Sequence, residues 1–213
     1  MAQRLETPTD DLMSVLVHAE VDGDRLAPDD ILHESLLILI GGDETTRHVI
    51  SGGMEQLLLH PEQRKLLLDD PTKITTAVEE MLRWVSPIKN MCRTVTHDTE
   101  FMGQQLLQGQ KCMLLYESAN RDETKFEDPF RFDVERDPNE HVAFGFGAHF
   151  CLGQALARLE LRVMFEQLLI RMPDLELAVD PSELVRRPAN FVSGLEALPV
   201  RFAPSKPLNR STL

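Results

Sequence analysis

Cys151 lies in the segment Phe144-Gly145-Phe146-Gly147-Ala148-His149-Phe150-Cys151-Leu152-Gly153, and its neighbours narrow the chemistry open to it. Gly145, Gly147 and Gly153 leave room for tight turns or for the close approach of something large, while Phe144 and Phe150 offer apolar walls. A helical pattern begins just after the cysteine, and the free amide groups of a helix start favour a thiolate. That thiolate can serve as a metal ligand or as a nucleophile. The chain holds no Cys-x-x-Cys and no His-x-x-x-His, which argues against a zinc cage and leaves one soft ligand, a donor that suits haem iron. A cysteine nucleophile assisted by His149, as in a thiol hydrolase, is the competing chemistry. Residues two apart in a loop rarely converge on one reacting atom, and no nearby Asn or Asp stands ready to orient that imidazole. The Gly-x-Gly at position 145 is a poor dinucleotide signal, because the third glycine position is Phe150.

Two other sets of residues carry chemistry. Gly41-Gly42-Asp43-Glu44-Thr45-Thr46 places small residues, a carboxylate and hydroxyls together, and at 100° per residue Leu37, Gly41, Thr45, His48 and Gly52 fall on one stripe with Ile38 at its edge. Glycine costs about 1 kcal/mol relative to alanine inside a helix, so the pair needs a reason. Close helix packing is one reading, and a flat ligand pressed against the stripe beside Thr45 and Glu44 is the other; the helix alone leaves both open. Glu80 and Arg83 stand one turn apart, the spacing of an i,i+3 ion pair.

These groups need elements to position them. A short helix is predicted over 11–19, and a turn at Val21-Asp22-Gly23-Asp24 leads to Pro28-Asp29-Asp30, a proline and two carboxylates of the kind that open helices. That helix has no clear stop before His60-Pro61, so 28–60 reads as a single element of about 45 Å. Further helices are predicted at 62–68 and 74–85, the latter ending before Ser86-Pro87. Strands follow at 92–96, 111–115 and near Phe101, with turns at Met102-Gly103 and Gln108-Gly109. Residues 122–140 are polar and without periodicity, an irregular loop; the cysteine segment then opens an amphipathic helix to about Arg171, and 175–202 alternates short strands and turns. The first ten residues show no apolar pattern and read as loop.

The chain has 213 residues, one large domain or part of one at roughly 150 per domain. Apolar residues make up 42% and charged residues 27%, ordinary globular composition. Lys and Arg total 22 against 35 Asp and Glu, a net charge of −13 that repels nucleic acid and anionic membranes. The longest apolar run, Leu36 to Ile40, is far short of the ~20 residues of a membrane span, so no transmembrane anchor is expected. Three cysteines form no disulfide framework and fit a reducing, cytoplasmic setting. Cys92 and Cys112 alternate with apolar neighbours and read as small buried hydrophobes.

Taken together, the motifs resemble the C-terminal half of a cytochrome P-450, a haem-thiolate monooxygenase. The family's F-x-x-G-x-[HR]-x-C-x-G loop is matched by Phe144, Gly147, His149, Cys151 and Gly153, its [AG]-G-x-[DE]-T-[TS] by 41–46, and its E-x-x-R by Glu80 and Arg83. The resemblance implies a mainly α fold with small β-sheets, of which 1–213 is a partial domain holding the distal helix 28–60 and the haem-thiolate loop 144–153. It implies haem b as cofactor, with Cys151 on the iron, Arg93 and His149 on the propionates, and Phe144, Gly147, Gly153, Gly41 and Gly42 around the ring. Thr45 and Glu44 would pass protons to iron-bound oxygen. Glu80 and Arg83 would be structural, tied to Arg131, with Arg136 in reserve. More narrowly, 36–47, 87–93 and 188–196 are similar to actinobacterial sterol side-chain hydroxylases. That likeness implies terminal methyl oxidation of a sterol-like lipid held by Ile38, Ile88, Asn90, Met91, Phe191 and Val192, with dioxygen and electrons from a ferredoxin or similar donor. Family members are about twice this length, so a non-catalytic half-domain is the alternative.

Overall fold

The computed structural model describes residues 1–204. Its helices are α1 (Ala2–Glu6), α2 (Leu12–His18), α3 (Pro28–Leu59), α4 (Pro61–Asp69), α5 (Ile74–Val85), α6 (Tyr116–Ala119) and α7 (Gln154–Arg171). The strands are β1 (Glu20–Val21), β2 (Asp24–Arg25), β3 (Asn90–Thr94), β4 (Thr99–Phe101), β5 (Gln104–Leu106), β6 (Lys111–Leu115), β7 (Glu176–Leu177) and β8 (Val200–Arg201). They pair antiparallel as four two-stranded ribbons, β1–β2, β3–β6, β4–β5 and β7–β8. This is the mainly helical architecture with small sheets expected from the sequence.

The backbone groups into two compact units that divide inside α3, between Glu44 and Thr45. Of the partial domain expected over 1–213, residues 205–213 lie outside the described residues. In the first unit the expected loop at the N-terminus contains α1, a five-residue helix with no apolar pattern to announce it. Arg4 of α1 meets Asp11 at 2.6 Å, and Asp11 caps α2 by accepting the Ser14 N–H at 2.8 Å. Hydrogen bonds from Thr9 and Ser14 hold the Asp11 carboxyl well below the usual carboxylate range.

The second unit has one apolar core. Val49, Met54 and Leu57 of α3, Leu67 of α4, Ala77, Val78 and Met81 of α5, and Leu161, Phe165 and Leu169 of α7 all bury in it. Close packing explains two glycines of α3: a Cβ at Gly53 would come within 2.8 Å of Met81 Sδ and 3.1 Å of the Phe165 ring, and one at Gly52 within 2.8 Å of Val85. At Gly41 and Gly42 an added Cβ would meet nothing within 4 Å among the described residues. Helix α7 departs from the expected amphipathic pattern. Leu161, Phe165 and Leu169 are buried, yet Leu156, Leu159, Val163, Met164 and Ile170 are exposed, so apolar side chains lie on more than one face.

The two cysteines read as buried are not. Cys92 is exposed and Cys112 half-buried, because β3 and β6 form a ribbon of only two strands whose pleat leaves most side chains at the surface.

Candidate active site

Helix α5 supplies the first polar cluster. Glu80 and Arg83 are both fully buried, and Arg83 donates from Nε to Glu80 Oε2 and from Nη2 to Glu80 Oε1, each at 2.7 Å. Burying two charges costs several kcal/mol per ion unless hydrogen bonds satisfy the remaining sites, and here they do. Arg83 also donates to the carbonyls of Asn120 (2.7 Å), Pro129 (2.9 Å) and Arg131 (3.2 Å), and Glu80 accepts from the Asp133 N–H (2.9 Å) and Asn139 Nδ2 (3.1 Å). The irregular loop is thereby stapled to α5. The third charged member is Arg136, not Arg131: Arg136 Nε lies 3.2 Å from Glu80 Oε2, and its other nitrogens donate to the carbonyls of Glu127, Asp128 and Arg131. The Arg131 side chain is largely exposed and approaches Asp133 at 3.6 Å; its carbonyl, not its guanidinium, serves the network.

At the end of α5, Ser86 adopts a left-handed conformation (φ 40°) that turns the chain toward β3. Its hydroxyl donates to the Arg83 carbonyl at 2.8 Å and accepts from Asn120 Nδ2 at 2.8 Å, which holds a backbone state unfavourable for a non-glycine residue. Fully buried Asn120 also accepts the Val142 N–H at 2.8 Å and so links this turn to the start of the cysteine loop.

In that loop Gly145 and Gly147 both have φ of 73°, the region that favours glycine. The Cys151 N–H donates to the Phe144 carbonyl at 3.0 Å and the Phe150 N–H to that of Gly147 at 3.0 Å, closing the loop just before α7. Cys151 is an exposed free thiol. Phe146 and Leu152 flank it at 87% and 90% exposure, and Phe150 meets Phe144 edge-on at 6.3 Å. His149 is exposed on the short turn Gly147–His149, and no hydrogen bond joins it to Cys151 among the described residues, so the nucleophile–base pair of a hydrolase is not assembled. No group of three or more His, Cys, Asp or Glu side chains able to cage a metal occurs among the described residues. One thiol, offered from a loop with two left-handed glycines between exposed apolar side chains, is a single soft donor with room beside it for a large flat group, and these residues fit haem.

Strand β3 and segment 187–195 come together beside α5. Ile88 and Val192 form an antiparallel bridge, the Lys89 N–H donates to the Phe191 carbonyl (2.8 Å) and the Ser193 N–H to that of Pro87 (3.1 Å). Four residues expected around a substrate, Ile88, Asn90, Phe191 and Val192, are thus neighbours in space. Register separates from Asn90 both Met91, also expected around the substrate, and Arg93, expected on a propionate. Met91 pairs with Leu114 and Arg93 with Cys112 on one face of the β3–β6 ribbon, whereas Asn90 pairs with Leu115 on the opposite face, its amide donating to the Asn190 carbonyl. Arg93 is exposed and its Nη1 donates to the Cys92 carbonyl at 3.0 Å. On α3, Ile38, Gly41, Gly42 and Glu44 belong to the first unit, and half-buried Thr45 opens the second.

Sequence reasoning missed a further cluster. Glu79 accepts from Arg158 Nε at 2.6 Å and Nη2 at 2.9 Å and from His141 Nε2 at 3.0 Å. Burial opposes its charge, but these partners overcome it and hold the carboxyl at about 2. Arg158, one turn beyond Gln154 on the helix that follows the cysteine, was the available signal; nothing in the sequence marked His141.

Fold, buried Glu80–Arg83 network and cysteine loop together define a class, and the comparison with known families agrees: the cytochrome P-450 family model matches residues 72–184, and the chain belongs to that family. Among curated relatives it is 62% identical over 208 residues to the steroid C26-monooxygenase of Mycobacterium tuberculosis (strain ATCC 25618 / H37Rv), covering 98% of this chain and 52% of that protein. It is 46% identical to the methyl-branched lipid omega-hydroxylase of Mycobacterium bovis (strain ATCC BAA-935 / AF2122/97), covering 91% of this chain and 45% of that protein. Among solved structures, the bacillaene polyketide synthase cytochrome P-450 PksS of Bacillus subtilis 168 superposes with a TM-score of 0.90 at 41% identity, over 95% of this chain and 53% of that one. The chain spans about half the length of the curated relatives it matches. Among the described residues, no helix is long and apolar enough to cross a membrane.

Proposed function

We propose that the chain forms the haem-thiolate half of a monooxygenase that places one oxygen atom from dioxygen on the terminal methyl of a sterol-like lipid. The observation that carries this reading is the exposed Cys151 thiol in its glycine-shaped loop. The names of the steroid C26-monooxygenase and the methyl-branched lipid omega-hydroxylase support the substrate class. Haem b, when bound, would supply dioxygen activation and oxygen insertion. Cys151 would be its ligand, Arg93 and His149 would donate to the propionates, and Phe144, Gly147, Gly153, Gly41 and Gly42 would bound the ring. Thr45 and Glu44 would hold and deliver protons through hydroxyl and carboxylate. Ile38, Ile88, Met91, Phe191 and Val192 would exclude water from the lipid tail, and Asn90, facing away from Met91, would order segment 187–195 through Asn190. Electrons would come from a ferredoxin or similar donor, in a cytoplasmic setting.

The reduced, carbon-monoxide-bound difference spectrum of the haem-reconstituted protein tests the ligand. A far-red Soret band is expected from the parent and none from Cys151→Ser; a band surviving that substitution removes the thiolate reading. Cholestenone added to the same protein is expected to shift the ferric spectrum toward high spin, and tight fatty-acid binding with no response to cholestenone removes the sterol. A second reading, a non-catalytic half-domain, is favoured by the exposed apolar residues of α7. A full far-red band without turnover of any lipid selects it.

A further inference from the structure

Both ends of the loop that offers Cys151 meet a single guanidinium. At the start of the loop, Arg158 Cζ lies 4.6 Å from the centroid of the Phe144 ring. At its end, Arg158 Nη1 donates to the side-chain oxygen of Gln154, the first residue of α7, whose own N–H donates to the Cys151 carbonyl at 3.3 Å. Glu79 fixes this guanidinium from α5 through two parallel hydrogen bonds, the fork geometry in which charge-assisted pairs are strongest. The same carboxylate grips the approach to the loop a second time. The Ala143 N–H donates to His141 Nδ1 at 3.2 Å, so the ring proton must sit on Nε2, which donates it to Glu79 Oε2 at 3.0 Å.

We propose that Glu79 and Arg158 are positioning residues for the cysteine loop. The carboxylate orients the guanidinium, and the guanidinium, stacked on Phe144 and bonded to Gln154, sets the loop in its ligand-presenting shape before any cofactor arrives. Phe144 is the link, since its carbonyl receives the Cys151 N–H. A cation over an aromatic face gains most where water is partly excluded, and Arg158 and Glu79 side chains are only 34% and 26% exposed. A preorganised loop spares haem binding the entropy of ordering it. The proposal rests on Cys151 as the ligand, but its test does not need haem.

Hydrogen exchange of the cofactor-free 213-residue chain, followed by mass spectrometry over peptides within 144–153, reads the loop directly. Arg158→Gln and Glu79→Gln are each expected to speed exchange of the Phe150 and Cys151 amides by about tenfold, with peptides from the middle of α5 and the last two turns of α7 unchanged. The exchanged pair Glu79→Arg with Arg158→Glu separates positioning from plain cross-linking. It restores an α5–α7 ion pair, hence the thermal midpoint, but puts a carboxylate against the Phe144 face, so loop protection is expected to stay low. Arg158→Lys, which keeps charge and loses the fork, provides a well-folded check and is expected to behave like Arg158→Gln in the loop. Parental loop exchange in Arg158→Gln, equal acceleration in every peptide, or loop protection regained in the exchanged pair each overturns the proposal. Failure of the carbon-monoxide spectrum would instead remove the ligand reading and leave these exchange rates as they are.

Discussion

Glu80 has two arginines within reach of its loop, and they differ in what they offer it. Arg136 brings a guanidinium to 3.2 Å, while Arg131 turns its side chain outward and lends a carbonyl to Arg83 and Arg136. Arg136→Ala is therefore expected to lower unfolding stability by about 3 kcal/mol, the cost of leaving a buried carboxylate short of charge, and Arg131→Ala by no more than about 0.5 kcal/mol. Urea denaturation of the two variants decides, and equal losses would contradict the assignment. The choice was not legible in the sequence, because both arginines stand in a stretch with no periodicity and only the path of the folded loop brings one of them to α5. Glu80 and Arg83 were legible, being one turn apart on a well-marked helix. Glu79 beside them makes a separate prediction. Its carboxyl is held at about 2 against an ordinary 4.5, so folding favours the ionised form. A depressed carboxylate adds stability that is fully present above the unfolded value and is lost as pH falls from about 4.5 toward about 2. The stability difference between the parent and Glu79→Gln should thus be largest near neutral pH and fade across that window; a difference constant with pH would show that charge is not what Glu79 contributes.

Helix α3 shows what a long element reveals in advance and what it conceals. Its bounds follow from Pro28-Asp29-Asp30 and His60-Pro61, and the observed Pro28–Leu59 ends one residue short of the expected range. The purpose of its glycines was ambiguous, since small residues suit both a packed helix and a flat ligand. Packing accounts for Gly52 and Gly53, where an added Cβ would meet Val85 and Met81. Gly53→Ala then sets two effects against each other. Helix propensity favours alanine by about 1 kcal/mol, and overpacking against fully buried Met81 and Phe165 costs about 1–3 kcal/mol. A net loss of roughly 1 kcal/mol is expected in thermal unfolding, and a gain would mean that the Met81 side chain moves aside freely. Helix α1 was illegible for the opposite reason. Five residues carry too little pattern, and its ties to the rest of its unit, the ion pair from Arg4 to Asp11 and the 3.0 Å contact of His18 Nε2 with the Arg4 carbonyl, are set by tertiary placement. Helix α7 misled through an apolar pattern that seemed one-sided in sequence and in fact continues round the helix, the mark of an element meant to be covered on several faces.

At the scale of the whole molecule, two features oppose each other. A net charge of −13 pushes copies apart, whereas exposed apolar side chains draw them together, among them Leu36, Leu37, Leu39 and Ile40 of α3 and Leu156, Leu159 and Ile170 of α7. Charge repulsion between exposed groups is screened beyond about 10 Å at 0.1 M salt, while apolar attraction is not weakened by screening. The 213-residue chain alone is therefore expected to associate more strongly as salt rises, the reverse of what ionic contacts between copies would give. Sedimentation velocity from low to high salt, with fluorescence of a dye that binds apolar surface, measures both sides of this balance. Growing species and bright dye are the expected outcome. A salt-independent monomer that leaves the dye dark would mean that these leucines find cover within one chain, and the α7 face would then have to be reckoned part of a finished core.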